Sequence, residues 1–229
     1  MPLKEIAESQ NQRHAKSTPQ DILKHVLDDV RLGETALVSS FGAESVVLLH
    51  MVAEIDPATP VIFIETEMLF AETLAYQKEV AAKLGLTDVR VVTPSREALL
   101  IRDSEGLLHQ ADVDACCTLR KKEPLEKALL PFGSWITGRK RYQNGARSAL
   151  PFFEKEAGSY RIKVNPLANW GRAELAAYMD AHDLPRHPLV AKGFPSIGCQ
   201  PCTHAVGVSD DPRAGRWKDT EKTECGIHF

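Results

Sequence analysis

The chain has no apolar run that could cross a bilayer. Its longest runs, such as residues 46–49 and 61–64, fall far short of the roughly 20 residues a helical span requires. The opening stretch MPLKEIAESQNQRHAKS lacks the apolar core of a secretory signal, so a cytoplasmic protein without membrane contact is expected. Charge of one sign is not in excess either: 28 Lys and Arg stand against 31 Asp and Glu in 229 residues, which argues against a generally basic nucleic-acid binder. Any polyanion must be held by local clusters. There is no internal repeat, no low-complexity tract and no Gly-Lys-Ser/Thr signature of a Walker loop. The histidines lack metal-ligand spacing: His50 reads as a packed residue in an apolar helix, and His187, His204 and His228 fall in loops. None of them receives a catalytic role.

What the chain does have is 43% apolar residues, enough for one sizeable core, and an odd number of cysteines, five. A reducing compartment disfavours structural disulfides, so thiol chemistry or metal binding comes first to mind. Residues 1–17 are polar and are expected to be loosely held. Thr18-Pro19 has the form of a helix start, with Ile22, Leu23, Val26, Leu27 and Val30 on one face. Strands are expected at 36–38, 60–65 and 89–93, with helices at 44–55 and 72–84 between them. This βαβαβ pattern implies a mainly parallel sheet with helices on both faces. A helix over 113–130, strands at 135–138 and 161–164 and a helix over 172–182 introduced by Asn169 extend it. Beyond Leu184 the periodic apolar patterns stop. The organisation read from this is a polar segment 1–17, an α/β domain 18–205, and a tail 206–229.

Four constellations could carry chemistry. Ser39-Ser40-Phe41-Gly42-Ala43-Glu44-Ser45 lies where the first strand turns into a helix, and hydroxyls, a glycine and a helix N-terminus there suit a phosphate. An ordinary capped turn is the plainer alternative. Cys116-Cys117 and Cys199-Gln200-Pro201-Cys202 form two close pairs that resemble a four-thiolate metal site. Zinc and an iron–sulfur cluster both suit thiolates, and a buried pair with an unrelated redox Cys-x-x-Cys is the alternative. Cys225, near the end of the chain, would be the thiol left over, although a terminal thiol can also be incidental and Glu224 beside it would raise its pKa. Positive charge gathers in Arg120-Lys121-Lys122, in Arg139-Lys140-Arg141 with Arg147, and in Arg213 with Arg216. These are either solvated faces or holders of phosphate and sulfate oxygens.

Together these motifs resemble the phosphoadenylyl-sulfate reductase family, in its cluster-containing, assimilatory adenylyl-sulfate reductase branch. The resemblance runs from about residue 35 to the end. It is carried by Cys116-Cys117-Thr118-Leu119-Arg120-Lys121, Trp135-Ile136-Thr137-Gly138-Arg139-Lys140-Arg141, residues 163–170, Pro195-Ser196-Ile197-Gly198-Cys199-Gln200-Pro201-Cys202 and Glu224-Cys225-Gly226-Ile227-His228. One departure is visible: the family commonly has an Asp-Thr-Gly-like turn after the second strand, where this chain has Glu65-Thr66-Glu67-Met68.

The resemblance implies a Rossmann-like adenine-nucleotide alpha-hydrolase (PP-loop) fold with a C-terminal loop and mobile tail. It implies a nucleotide at Ser39, Ser40, Phe41, Gly42, Glu44 and Ser45, and a 4Fe–4S cluster on Cys116, Cys117, Cys199 and Cys202. Cys225 becomes the nucleophile that takes the sulfonyl group of adenosine 5′-phosphosulfate, releasing AMP. Thioredoxin, or a glutaredoxin-like reductant, then frees sulfite. Attack on an anionic sulfate needs cations, for which Lys121, Arg147, Arg213 and Arg216 are the candidates. A homo-oligomer without stable nucleic acid is implied as well. The alternatives are a reductase of the 3′-phosphorylated nucleotide or of both, a PP-loop RNA thiolase, and a metal-cluster redox sensor.

Overall fold

The structure is a computed structural model and describes residues 2–143, 147–207, 210–218, 222, 224, 226 and 227. The N-terminal segment is not loosely held: it forms helix α1 (Leu3–Arg13). Its packing face is narrow and partly polar, Ala7 and Gln10 followed by His14 beyond the helix end, which is why composition concealed it. Asn11 fixes the helix to the sheet, donating through Nδ2 to Phe153 O at 2.7 Å and accepting at Oδ1 from Phe153 N–H at 2.9 Å. Helix α2 (Pro19–Asp28) starts at a capping box in which Thr18 Oγ1 accepts from Asp21 N–H and Asp21 accepts from Thr18 N–H. It buries Ile22, Leu23 and Val26 but stops short of Val30. Asp29 captures the Arg31 N–H at 3.1 Å and opens a 3-10 turn that leaves Val30 exposed.

The expected alternation follows in β1 (Thr35–Ser39), α3 (Ser45–Ala53), β2 (Val61–Ile64), α4 (Ala71–Lys83) and β3 (Val89–Val92). Helices α5 (Arg96–Arg102), α6 (Leu108–Ala111) and α7 (Val113–Cys117) come next. A π-helical turn (Thr118–Lys122) then leads into α8 (Glu123–Ala128), so the single helix expected over 113–130 is interrupted just after the cysteine pair. Strands β4 (Ser134–Ile136), β5 (Phe153–Lys155) and β6 (Ile162–Val164) and helix α9 (Arg172–Ala181) complete the elements. Gly171, not Asn169, caps α9: its N–H donates to Glu174 Oε2, while Asn169 accepts from Arg141.

The described strands form one sheet in the order β3-β2-β1-β4-β6-β5, parallel except for β5, which runs antiparallel to β6. Both faces are covered, as a parallel sheet requires. One side buries Leu37, Phe63 and Ile136 among α2, α3 and α9 residues such as Ile22, Leu49 and Leu175, and the other packs Ala36, Ile62 and Trp135 on Leu125 of α8 and on Leu129. The strand order departs from β1 in both directions, toward β2 on one side and β4 on the other. In such sheets the crevice at the strands' C-terminal ends is where a ligand fits. Among the described residues no helix is long and apolar enough to cross a membrane. After Leu184 they form only loops, 3-10 turns at Val190–Lys192 and Gln200–Cys202, and two isolated antiparallel bridges, Cys199 with Leu69 and Thr203 with Arg216.

Candidate active site

A cavity of about 240 Å3 lies over the ends of β1, β2 and β4. Ser39, Ser40, Gly42, Glu44 and Ser45 line it. Phe41, expected with them, does not. Its backbone takes the left-handed conformation (φ 47°), and its ring is fully buried, edge-on to Phe63 at a centroid distance of 5.2 Å. The turn is held by Phe41 N–H on Ser39 Oγ at 3.2 Å and Gly42 N–H on Ser45 Oγ at 3.0 Å, so the positive end of the α3 dipole meets the cavity. Glu44 does not cap the helix with its side chain. Its carboxylate accepts from Lys140 Nζ at 2.6 Å and Tyr142 OH at 2.5 Å. Burial alone would raise the Glu44 pKa, but Lys140 and Tyr142 outweigh it and hold the carboxyl below its ordinary range.

The opposite wall follows β4. Arg139 is tied to Asn165 Oδ1 at 3.1 Å and to Glu154, and burial, with Arg147 nearby, brings its pKa down to about 10. Behind it Lys163 lies over the Trp135 ring at 4.8 Å. Burial and the Arg139 charge lower its pKa to about 8. The wall is therefore cationic beyond the groups that touch the cavity.

At the cysteine end the π-helical turn separates three basic neighbours. Arg120 points inward to Asp103 Oδ2 at 2.5 Å and Thr66 O at 2.9 Å, Lys122 reaches toward Glu126 at the surface, and Lys121 lines the cavity. Cys116, Cys117 and Cys199 are buried, Cys202 partly so, and all four are free thiols. Their fields overlap. Burial, then Cys117 and Cys199, push the Cys116 thiol up to about 12. At Cys199 burial acts in the same direction, but Lys121 and the Thr66 hydroxyl, 3.2 Å away, outweigh it and lower the pKa. Among the described residues no group of three or more His, Cys, Asp or Glu side chains is arranged to hold a metal ion.

The tail returns to this end of the cavity. Arg147 and Arg213 both meet the Glu224 carboxylate. Arg216 stacks on the Trp217 ring at 4.4 Å and presses against Gly198, where a Cβ would collide with the guanidinium. Trp217 is buried, left-handed (φ 51°), and donates its backbone N–H to Cys202 O at 3.2 Å. Cys225 and His228 lie outside the described residues. Their neighbours Glu224 and Ile227 line the cavity, and a Cβ on Gly226 would sit 3.9 Å from Cys117 Cβ.

Of the residues singled out from sequence, the strand-turn set without Phe41, together with Lys121, Arg147, Arg213 and Arg216, share one cavity. Thr66, Thr137, Tyr142, Arg172, Trp217 and Glu224 also line it and were not singled out as binding residues. Thr66 and Thr137 fall within quoted motifs, and Trp217 and Glu224 carry a signal of their own, an aromatic beside an arginine and an acid beside a thiol. At the departing turn Glu67 is left-handed (φ 60°), the conformation for which a glycine is the ordinary choice, and its N–H is held by Glu65 Oε1 at 2.7 Å.

Comparison with known proteins agrees with this geometry. The phosphoadenosine phosphosulfate reductase domain matches residues 34–205. A protein of Mesorhizobium japonicum named adenosine 5′-phosphosulfate reductase is 50% identical over 211 residues, spanning 92% of this chain and 82% of its own. One of Gloeobacter violaceus named phosphoadenosine 5′-phosphosulfate reductase is 40% identical over 195 residues, 84% of this chain and 81% of its own. The crystal structure of a phosphoadenylyl-sulfate reductase from Candida auris, in a phosphate complex, superposes with a TM-score of 0.75 at 28% identity, covering 88% of this chain and 97% of that one. With the sheet, the cavity at its switch point and the matched span in agreement, the chain belongs to the phosphoadenosine phosphosulfate reductase family.

Proposed function

We propose that the chain reduces adenosine 5′-phosphosulfate to sulfite and AMP. The observation that carries this reading is one cavity joining the strand-to-helix turn to Lys121, Arg147, Arg213 and Arg216, with the buried thiols beside it and Glu224 and Ile227 on its wall. In the reaction the Cys225 thiolate attacks the sulfate sulfur, the bond from sulfur to the bridging oxygen breaks, and AMP leaves with that oxygen and its electron pair. S-sulfocysteine remains. A thiolate of thioredoxin, or of a glutaredoxin-like reductant, attacks the Cys225 sulfur and expels sulfite. Its second thiol then resolves the mixed disulfide, so two electrons pass from the dithiol to sulfur. The cations offset repulsion between thiolate and sulfate and stabilise the charge that grows on the departing phosphate.

Cys116, Cys117, Cys199 and Cys202 would hold a 4Fe–4S cluster. The donor chemistry suits it: four thiols, three of them buried, with burial and neighbouring sulfurs raising the pKa of Cys116 and Cys202 while Lys121 lowers that of Cys199. When bound, the cluster would supply charge that helps order Lys121 and the sulfate end of the site. Thiol chemistry of this kind belongs to a reducing cytoplasm, and we include a homo-oligomer in the reading.

A second reading, activity on the 3′-phosphorylated nucleotide, is favoured by Arg172, an exposed cation on the cavity wall, and by the name of the Gloeobacter relative. Anaerobic assay of both nucleotides with reduced thioredoxin separates the two. Before reductant is added, the sulfonyl mass is expected on the Cys225 peptide. Cys225→Ser should end sulfite release while the iron content persists, and retained turnover would reject the assigned nucleophile.

A further inference from the structure

The cavity contains an anion of its own. Glu224 is 6% exposed and lies 77 positions from Arg147, yet the two meet fork to fork, Nε on Oε2 and Nη2 on Oε1. Arg213 Nη2 adds a third contact at 3.5 Å. Two of the four cations proposed for the substrate are therefore already engaged by a carboxylate.

Physical chemistry gives a reason. A buried guanidinium without a counter-charge is strongly destabilising, so a cavity shaped for an anionic ligand needs a substitute when the ligand is away. Carboxylate, sulfate and phosphate all match the planar donor edge of arginine, which makes them interchangeable on it. Arg147 is also bonded to Gln143 Oε1, a neutral contact that can stay when the carboxylate departs. The other two cations are held differently, Arg216 by the Trp217 ring and Lys121 by Cys199.

We infer that Glu224 is a stand-in for the substrate's anionic end, exchanged on Arg147 and Arg213 when the sulfonucleotide enters. The inference rests on the reductase reading. It makes Glu224 a competitor of substrate.

The test uses reduced, full-length protein under anaerobic conditions. Adenosine 5′-phosphosulfate and AMP are titrated by calorimetry into the wild type, Glu224→Gln and Glu224→Asp. Glu224→Gln should bind both nucleotides about 10-fold more tightly. Glu224→Asp, too short to bridge both arginines, should fall between them and serves if the glutamine variant does not fold. Unchanged or weaker binding in the variants overturns the inference and leaves the reductase reading standing. A purely structural Glu224 would lower the thermal midpoint without tightening either nucleotide. If the wild type binds neither nucleotide, the reductase reading falls and this inference with it.

Discussion

At the strand-turn end of the cavity, Lys140 meets Glu44 at 2.6 Å, and both residues stand beyond the C-terminal ends of central strands, one after β4 and the other between β1 and α3. At the tail end, Arg147 and Arg213 meet Glu224, which the chain supplies only after the last of its described strands and helices. The first pairing joins residues that flank strands of the sheet. The second exists only while the tail is docked. One end is thus a fixed floor for a ligand, and the other is assembled from separate parts around its most reactive portion.

Substitutions should divide along that line. The largest effect is expected at the assembled end: Arg216→Ala should lower kcat/KM about 10²- to 10³-fold, the scale of losing one donor to developing charge, with unfolding free energy changed by less than about 1 kcal/mol. A large loss of stability on urea unfolding would show that this arginine supports the fold. On the floor the expectation is reversed. Lys140→Met leaves a mostly buried Glu44 carboxylate with Tyr142 alone, and should cost about 3 kcal/mol of stability in the same measurement. A stability equal to wild type would mean that the floor does not depend on the pair.

A finer test moves a cation without deleting it. Gly198→Ala pushes against the flexible end of Arg216, so kcat/KM should fall about 10-fold with the melting temperature nearly constant. Farthest from the cavity, Asn11→Ala removes both side-chain bonds to Phe153 and should cost about 1–2 kcal/mol with kcat unchanged. Any loss of turnover there would link the far sheet edge to the site.

The parts of the fold readable in sequence were those governed by local pattern. The apolar runs at 36–38, 60–65 and 89–93 became β1, β2 and β3, and Thr18-Pro19 became a capped helix start. Strand β5 was missed because three residues on an antiparallel edge carry no periodicity, and α1 because its contacts are partly hydrogen bonds. At the site, the cysteine pairs and the arginines stood out by residue type and spacing. The inward turn of Arg120 and the burial of the Phe41 ring did not, since a π-helical turn and a positive φ decide them. The Arg147–Glu224 contact depends on how the tail folds back, a tertiary fact that no local window contains.

The Thr203–Arg216 bridge, with His204 N–H on Gly215 O and Trp217 N–H on Cys202 O, makes two short rails with a loop between them. Side chains alternate across such rails, so a slip of a single residue would carry the guanidinium to the far side and bring its aromatic neighbour forward. An insertion within either rail would therefore separate the arginine from the cysteine turn it faces, and one in the loop between them would shift Arg213 away from Glu224.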